Sequence, residues 1–161
     1  MKLATFTAPG FDQPLAGEVL DGRVFAFAGG ASVVDVLARP ARASRSEQSW
    51  ALEDVRLLAP VPEPGTVYAI GLNYAKHIEE TGNKPPETPI VFVKVRGSVS
   101  PPGGPIRRPE VVRRLDYEGE LTIVMGAHGE IAGYCVADDV TARDLQGREP
   151  QWTRAKGADT F

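Results

Sequence analysis

Asp116, Glu118 and Glu120 alternate along Asp116-Tyr117-Glu118-Gly119-Glu120, which runs straight into the apolar stretch Leu121-Thr122-Ile123-Val124-Met125. Read as a strand, the three carboxylates project to one side and Gly119 to the other. Neighbours two apart stand about 6.5 Å from each other, and at an effective dielectric near 20 each such pair repels by roughly 2–3 kcal/mol. A folded chain keeps that arrangement when the face is solvated or when a cation neutralises it. Asp139 adds a carboxylate just beyond a second strand-like run, Ile131-Ala132-Gly133-Tyr134-Cys135-Val136. With two histidines, His77 and His128, and one cysteine, Cys135, a structural zinc centre is excluded. Any ion here needs oxygen ligands, which selects magnesium, manganese or calcium.

Other residues could act beside these carboxylates. His77 and Glu80 are spaced i, i+3 and share one face of a helix. A carboxylate next to an imidazole raises its basicity, as activation of water requires, although a polar surface helix has the same spacing. In Asp139-Val140-Thr141-Ala142-Arg143-Asp144-Leu145-Gln146, Thr141 and Asp144 have the spacing of a capping box. Arg143 and Gln146 share a face there, where they could hold carbonyl or carboxylate groups of a ligand; a capped surface helix is the alternative. Lys94 and Lys156 are candidates to hold an anion or stabilise an enolate. The basic run Arg107, Arg108, Arg113 and Arg114 reads as a solvated loop, His128 as an exposed turn residue and Cys135 as strand packing. Phosphate-loop, dinucleotide-binding and Ser/His/Asp signatures are absent.

The elements that must position these groups are legible as an α+β, mainly β chain in two parts. In residues 1–65, Lys2–Phe6, Gly17–Leu20 and Arg23–Phe27 have strand character, with a turn at Asp21-Gly22. Ser32 caps a short helix ended by Pro40, residues 41–49 read as an exposed loop, and Val55–Leu58 is a short strand. Pro60-Val61-Pro62-Glu63-Pro64-Gly65 is a stiff connector. In residues 66–161, Val67–Leu72 and Ile90–Val95 are strands, Asn73 caps a helix over Tyr74–Thr81, and Gly97–Pro109 is irregular. Glu118–Met125 and Ile131–Ala137 form a hairpin. At 161 residues, 42% hydrophobic and 24% charged, the composition is that of a globular domain. A net charge of −3 argues against nucleic acid as the main partner. No window is long and apolar enough to span a membrane and no secretory signal is visible, so a cytoplasmic location is expected.

Five ordered motifs carry a resemblance. Tyr68-Ala69-Ile70-Gly71-Leu72-Asn73-Tyr74-Ala75-Lys76-His77, Phe92-Val93-Lys94, Asp116–Leu121, Asp138–Gln146 and Lys156-Gly157-Ala158-Asp159-Thr160-Phe161 together resemble the fumarylacetoacetate hydrolase family. The resemblance covers Val67–Phe161. It implies a small N-terminal domain followed by the first part of a mixed β-roll, truncated relative to the family. It also implies Glu118, Glu120 and Asp139 as ligands of magnesium or manganese, with calcium a further candidate, and His77 with Glu80 as a water-activating dyad on a lid helix. Lys156 matches a lysine near a bound 2-oxo acid, while Lys94, Arg143 and Gln146 match substrate-side or supporting positions. Asp138 stands where the family usually has asparagine, and Thr141 replaces the usual serine.

The expected activity is metal-dependent hydrolysis of a C–C bond in an acylpyruvate-type 1,3-dicarbonyl acid. The alternatives are isomerisation, decarboxylation or dehydration of a 2-oxo acid at the same site, or a catalytically silent fragment that retains ion binding. The resemblance further implies a homodimer and a small 2-oxo or 2,4-dioxo acid as ligand.

Overall fold

The computed structural model describes residues 1–161. The chain is mostly β with three short α-helices. It forms two units that interlace along the sequence: Met1–Glu63, Ser100–Pro105 and Gly119–Ala137 make the first, and Pro64–Val99, Ile106–Glu118 and Asp138–Phe161 the second.

The first unit is organised on an antiparallel sheet. Its strands are β1 (Lys2–Thr7), β2 (Leu15–Leu20), β3 (Arg23–Phe27), β4 (Arg45–Ala51) and β5 (Arg56–Leu57), in the order β4-β3-β2-β1-β5. Asp21 and Gly22 both have positive φ, +48° and +74°, as a tight turn between β2 and β3 demands. Phe6 and Val24 are fully buried between the smaller Ala4 and Ala26, and the half-buried Trp50 and Leu57 complete the core.

Helix α1 (Val33–Ala38) starts as the sequence predicts. Ser32 Oγ accepts from the Asp35 N–H, and the Asp35 carboxylate accepts from the Ser32 N–H. These bonds hold the Asp35 carboxyl below its ordinary range. The predicted loop over residues 41–49 is instead largely strand β4. Polar residues such as Ser46, Glu47 and Gln48 carry no strong strand signal, but pairing with β3 supplies it (Phe25↔Ser49, Val24↔Trp50). Trp50 packs edge-on to Phe6 with ring centroids 5.7 Å apart, and Arg45 lies over the Phe25 ring.

In the second unit, β6 (Val67–Gly71) pairs antiparallel with β7 (Ile90–Lys94). Two-residue strands β8 (Leu115–Asp116) and β11 (Thr141–Ala142) pair with each other. Helix α2 spans Ala75–Glu80 and α3 spans Arg143–Gln146. Val112, Ala142, Leu145 of α3 and Ala155 form a buried cluster, with Leu115 of β8 packed against it.

Two predicted caps are corrected. Tyr74, not Asn73, occupies the start of α2, with no side-chain cap. Thr141 is a strand residue, and α3 begins after Ala142 without a side-chain cap. All four N–H groups of so short a helix are orphans, and its placement is set by tertiary contacts rather than by a side-chain cap. Asp144 instead receives the N–H groups of Arg113 and Arg114, tying α3 to the preceding loop. Burial works to raise the Asp144 carboxyl, but these two donors outweigh it and hold the group below its ordinary range.

The acidic segment is not one strand. β8 ends at Asp116 and β9 (Gly119–Met125) begins after Glu118, so Tyr117 and Glu118 form a break. β9 pairs with β10 (Ile131–Asp138) as the expected hairpin. Along β9 the alternation runs opposite to a buried apolar stripe. Glu120, Thr122 and Val124 are half-buried while Leu121, Ile123 and Met125 are exposed, and on β10 Val136 is 86% exposed.

Candidate active site

The break at Tyr117-Glu118 is held by its neighbours in the second unit. The Glu118 N–H donates to Asp138 Oδ1 at 2.9 Å, and the Glu118 carbonyl accepts from the Asp139 N–H at 2.8 Å. Backbone hydrogen bonds thus fix two carboxylate-bearing residues side by side. Asp138 needs only an acceptor oxygen for this role, which an asparagine would also provide.

Two lysines close on the Asp139 carboxylate. Lys94 Nζ donates to Asp139 Oδ1 at 2.5 Å and Lys156 Nζ to Asp139 Oδ2 at 2.7 Å. Lys156 Nζ also donates to Glu118 Oε2 at 2.7 Å and to Thr141 Oγ1 at 2.8 Å. An ammonium has three N–H donors, and each has an acceptor here. This matters because the Lys156 side chain is 2% exposed, and a buried charge persists only when paired and fully hydrogen-bonded.

The Lys156 ammonium also faces an aromatic floor. Its nitrogen lies 5.0 Å from the centroid of the buried Phe92 ring, within cation–π range. Phe92 meets Trp152 edge to face at 5.6 Å, and Trp152 lies against Gly71. Phe92 and Lys94 are two apart on β7 and therefore share a face. Burial pushes the Lys94 ammonium below its ordinary pKa, the Lys156 charge adding to this and the Asp139 hydrogen bond opposing it.

Arg143 takes the other side of Glu118. One terminal nitrogen pairs with Glu118 Oε1 at 2.6 Å, Nε pairs with Asp116 Oδ2 at 2.9 Å, and Gln146 Oε1 accepts from the guanidinium at 3.0 Å. The Arg143 hydrogen bond lowers the Asp116 carboxyl from its ordinary value. Burial alone would lower the Arg143 value, but its two carboxylate partners outweigh that and raise it. Arg143 and Gln146, read in the sequence as ligand-holding groups, are here part of the frame that orients Glu118.

Of the site residues expected from the sequence, Lys94, Glu118, Asp139, Arg143, Gln146 and Lys156 are gathered into this one cluster. Glu120 lies half-buried on β9 of the first unit. No group of three Asp, Glu, His or Cys side chains is drawn close enough to hold an ion. His77 and Glu80 both lie on α2, His77 half-buried and Glu80 exposed, and no hydrogen bond links their side chains. The repulsion anticipated along the acidic segment is met internally: two lysines and an arginine, all distant in sequence, neutralise Glu118 and Asp139. Thr141, Phe92 and Trp152 were not assigned to the site from sequence. The placement of Thr141 in the same motif as Asp139, and of Phe92 in the same motif as Lys94, pointed that way; Trp152 lies in none of the motifs.

A buried carboxylate–ammonium cluster on short antiparallel ladders is the candidate centre of this chain. Residues 66–161 match the family described as fumarylacetoacetate (FAA) hydrolase C-terminal, and the chain belongs to that family. It is 34% identical to the mitochondrial oxaloacetate tautomerase Fahd2a of Rattus norvegicus, over an alignment covering the whole chain and 60% of the relative. Among solved structures, it matches the fumarylacetoacetate hydrolase of the psychrophile Exiguobacterium antarcticum with a TM-score of 0.80 and 32% identity, covering 100% of this chain and 63% of that one. It matches a 5-carboxymethyl-2-hydroxymuconate delta-isomerase from Mycobacterium smegmatis with a TM-score of 0.76 and 34% identity, covering 100% and 63%. The chain spans about half the length of the curated relatives it matches, from 46% to 60% for the first four. No helix is long and apolar enough to cross a membrane.

Proposed function

We propose that this chain carries the carboxylate–lysine part of a site that interconverts the keto and enol forms of a 2-oxo acid. The observation that carries the reading is the pair of buried ammonium groups on one carboxylate, Lys94 and Lys156 on Asp139. Lys156, with all three donors engaged, supplies a fixed positive charge beside which an enolate oxygen is stabilised. Lys94 holds its proton less tightly than an ordinary lysine, so it is the group suited to exchanging a proton at the substrate α-carbon. Arg143 and Gln146 hold Glu118 in place through this exchange. The names of the tautomerase and isomerase relatives are consistent with such chemistry.

Of the ligand set implied by the family resemblance, Glu118, Glu120 and Asp139, the first and last already flank a single cation, the Lys156 ammonium, with one oxygen each at 2.7 Å. These hard oxygen donors fit magnesium, manganese or calcium. Such an ion would supply Lewis-acid polarisation of the substrate's carboxylate and 2-oxo oxygens.

Hydrolysis of an acylpyruvate is the second reading, favoured by His77 and Glu80 lying i, i+3 on α2. His77, assisted by Glu80, would take the proton of the attacking water.

Incubation with oxaloacetate and with an acylpyruvate, in manganese or in chelator, tests both readings. Enol absorbance that decays faster than in buffer, with the gain lost in Lys156→Met, supports tautomerisation. Pyruvate release that disappears in His77→Ala supports hydrolysis. Rates equal to buffer for both substrates, in manganese and in chelator alike, overturn the two together.

A further inference from the structure

The hydroxyl of Thr141 is fully buried and has two partners. It donates to the Asp139 carbonyl at 2.8 Å and accepts from Lys156 Nζ at 2.8 Å. The first bond fixes where the hydroxyl hydrogen points, which leaves a lone pair facing the lysine. A carbonyl oxygen offers no donor, so the hydroxyl cannot reverse its role toward Asp139 without breaking that bond. Thr141 is therefore an acceptor of defined direction, whereas Glu118 and Asp139 each offer two oxygens and several lone pairs.

The backbone adds a second point of attachment. The Ala142 N–H donates to the Ala155 carbonyl at 2.8 Å, and the Lys156 N–H donates to the Trp152 carbonyl at 3.0 Å. β11 thus grips the Lys156 segment twice, through Ala142 at the main chain and through Thr141 at the end of the side chain. Phe92 covers another side of the ammonium, with its own ring set by Trp152. The acceptors Glu118 and Asp139 are the carboxylates that a substrate-side cation would share. Among the three hydrogen-bond acceptors Thr141 is the neutral one, and the one that is not a candidate ligand.

We propose that Thr141 is a positioning residue for Lys156: its hydroxyl, locked by the Asp139 carbonyl, fixes where the ammonium charge sits between Glu118 and Asp139. The catalytic consequence rests on the reading that Lys156 stabilises an enolate, while the geometric claim does not. A serine keeps both bonds, and a valine of the same shape keeps neither. Loss of a residue that orients a metal ligand from behind lowers activity about 10–100-fold, and a like effect is expected for one that orients a lysine.

The test compares Thr141→Ser and Thr141→Val with the parent chain by two readouts. In turnover of oxaloacetate with manganese, Thr141→Val is expected to lower kcat about 10–100-fold with little change in KM, and Thr141→Ser to restore kcat to within about threefold of the parent. The second readout is nitrogen-15 NMR of the lysine side chains. The Lys156 ammonium, assigned by its loss in Lys156→Met, is expected to give a slowly exchanging signal in the parent and in Thr141→Ser, and none in Thr141→Val. Should valine prevent folding, Thr141→Ala removes the hydroxyl without adding a methyl against Nζ and carries the same comparison. Retention of the ammonium signal without the hydroxyl, or an equal loss of kcat in the serine and valine variants, overturns the proposal. A parent chain that turns over nothing overturns the enolate reading instead, and the NMR comparison still decides whether Thr141 orients Lys156.

Discussion

Replacing Asp139 with asparagine tests the energetic core of the site. The Asp139 side chain is 8% exposed and accepts from Lys156, which is 2% exposed, and from Lys94, which is 11% exposed. Asparagine keeps one acceptor oxygen but removes the charge, leaving two buried ammonium groups to share Glu118 and Thr141. Breaking a buried pair by neutralising one partner costs about 3–5 kcal/mol, because the other charge remains desolvated. For a chain of this size each kcal/mol lowers the melting temperature by about 2–4 °C, so Asp139→Asn is expected to melt about 6–20 °C below the parent. The assay is thermal unfolding followed by circular dichroism, in chelator, so that no added divalent ion contributes. A second arm places Asp139→Asn in a Lys94→Met background. Removing one of the stranded ammonium groups beforehand should reduce the loss by about 0.5–3 kcal/mol, the range of coupling for residues in direct contact. If Asp139→Asn melts within about 2 °C of the parent, the substitution behaves like one on an open surface. The buried charge cluster would then not exist in solution.

Further expectations follow from other contacts. Lys94 has a lowered pKa in the folded chain, so between that value and 10.5 the unfolded chain binds more protons and the Lys94 contribution to stability rises with pH. Lys94→Met should abolish that alkaline increment, and melts across this range check the sign. Ser32→Ala removes the α1 cap and should cost about 1 kcal/mol in denaturant unfolding. Asp35, whose value is lowered, contributes stability above its unfolded value of 3.8 that is lost as pH falls through its folded one; Asp35→Asn should flatten the acid limb of the stability profile. At Gly71 an added Cβ would meet the Trp152 ring at 2.5 Å, so Gly71→Ala should destabilise by about 1–3 kcal/mol through overpacking. Near-ultraviolet circular dichroism, which reports the environment of Trp152 and Phe92, should change with it.

The parts of the fold that were legible in the sequence are those governed by local chemistry. Ser32 with Asp35, Asp21-Gly22 and the hairpin around residues 127–130 each depend on a few adjacent residues, and each is present. β4 was not legible, because Ser46–Ser49 become strand only by pairing with β3. The caps assigned to Asn73 and Thr141 failed for the opposite reason. Each residue has the chemistry of a cap, but at Thr141 a tertiary partner, Lys156, competes for the hydroxyl.

At the site, the motif order placed Glu118, Asp139, Lys94, Arg143 and Lys156 in the right neighbourhood, and they do converge. What spacing could not supply was the partner of each charge. Arg143 contacts Asp116 and Glu118, and Lys156 contacts Glu118 and Asp139, through sequence separations that no periodicity reports. The reading of Asp116, Glu118 and Glu120 as one uninterrupted strand missed the break at Tyr117-Glu118, where the Asp138 carboxylate takes the N–H that a continuous ladder would have used.

The interleaving of the two units has a consequence for biosynthesis. Residues 119–137 belong with the N-terminal sheet, although they are made after nearly all of the lysine- and glycine-bearing strands of the other unit. Neither unit can therefore finish while the ribosome still holds the middle of the chain, although β6 and β7, which pair with each other, are both made before it. A split version cut at the connector near Pro64 would leave every segment of the second unit on one piece but divide the first, so the N-terminal piece should complete its unit only when residues 100–105 and 119–137 are supplied by the other.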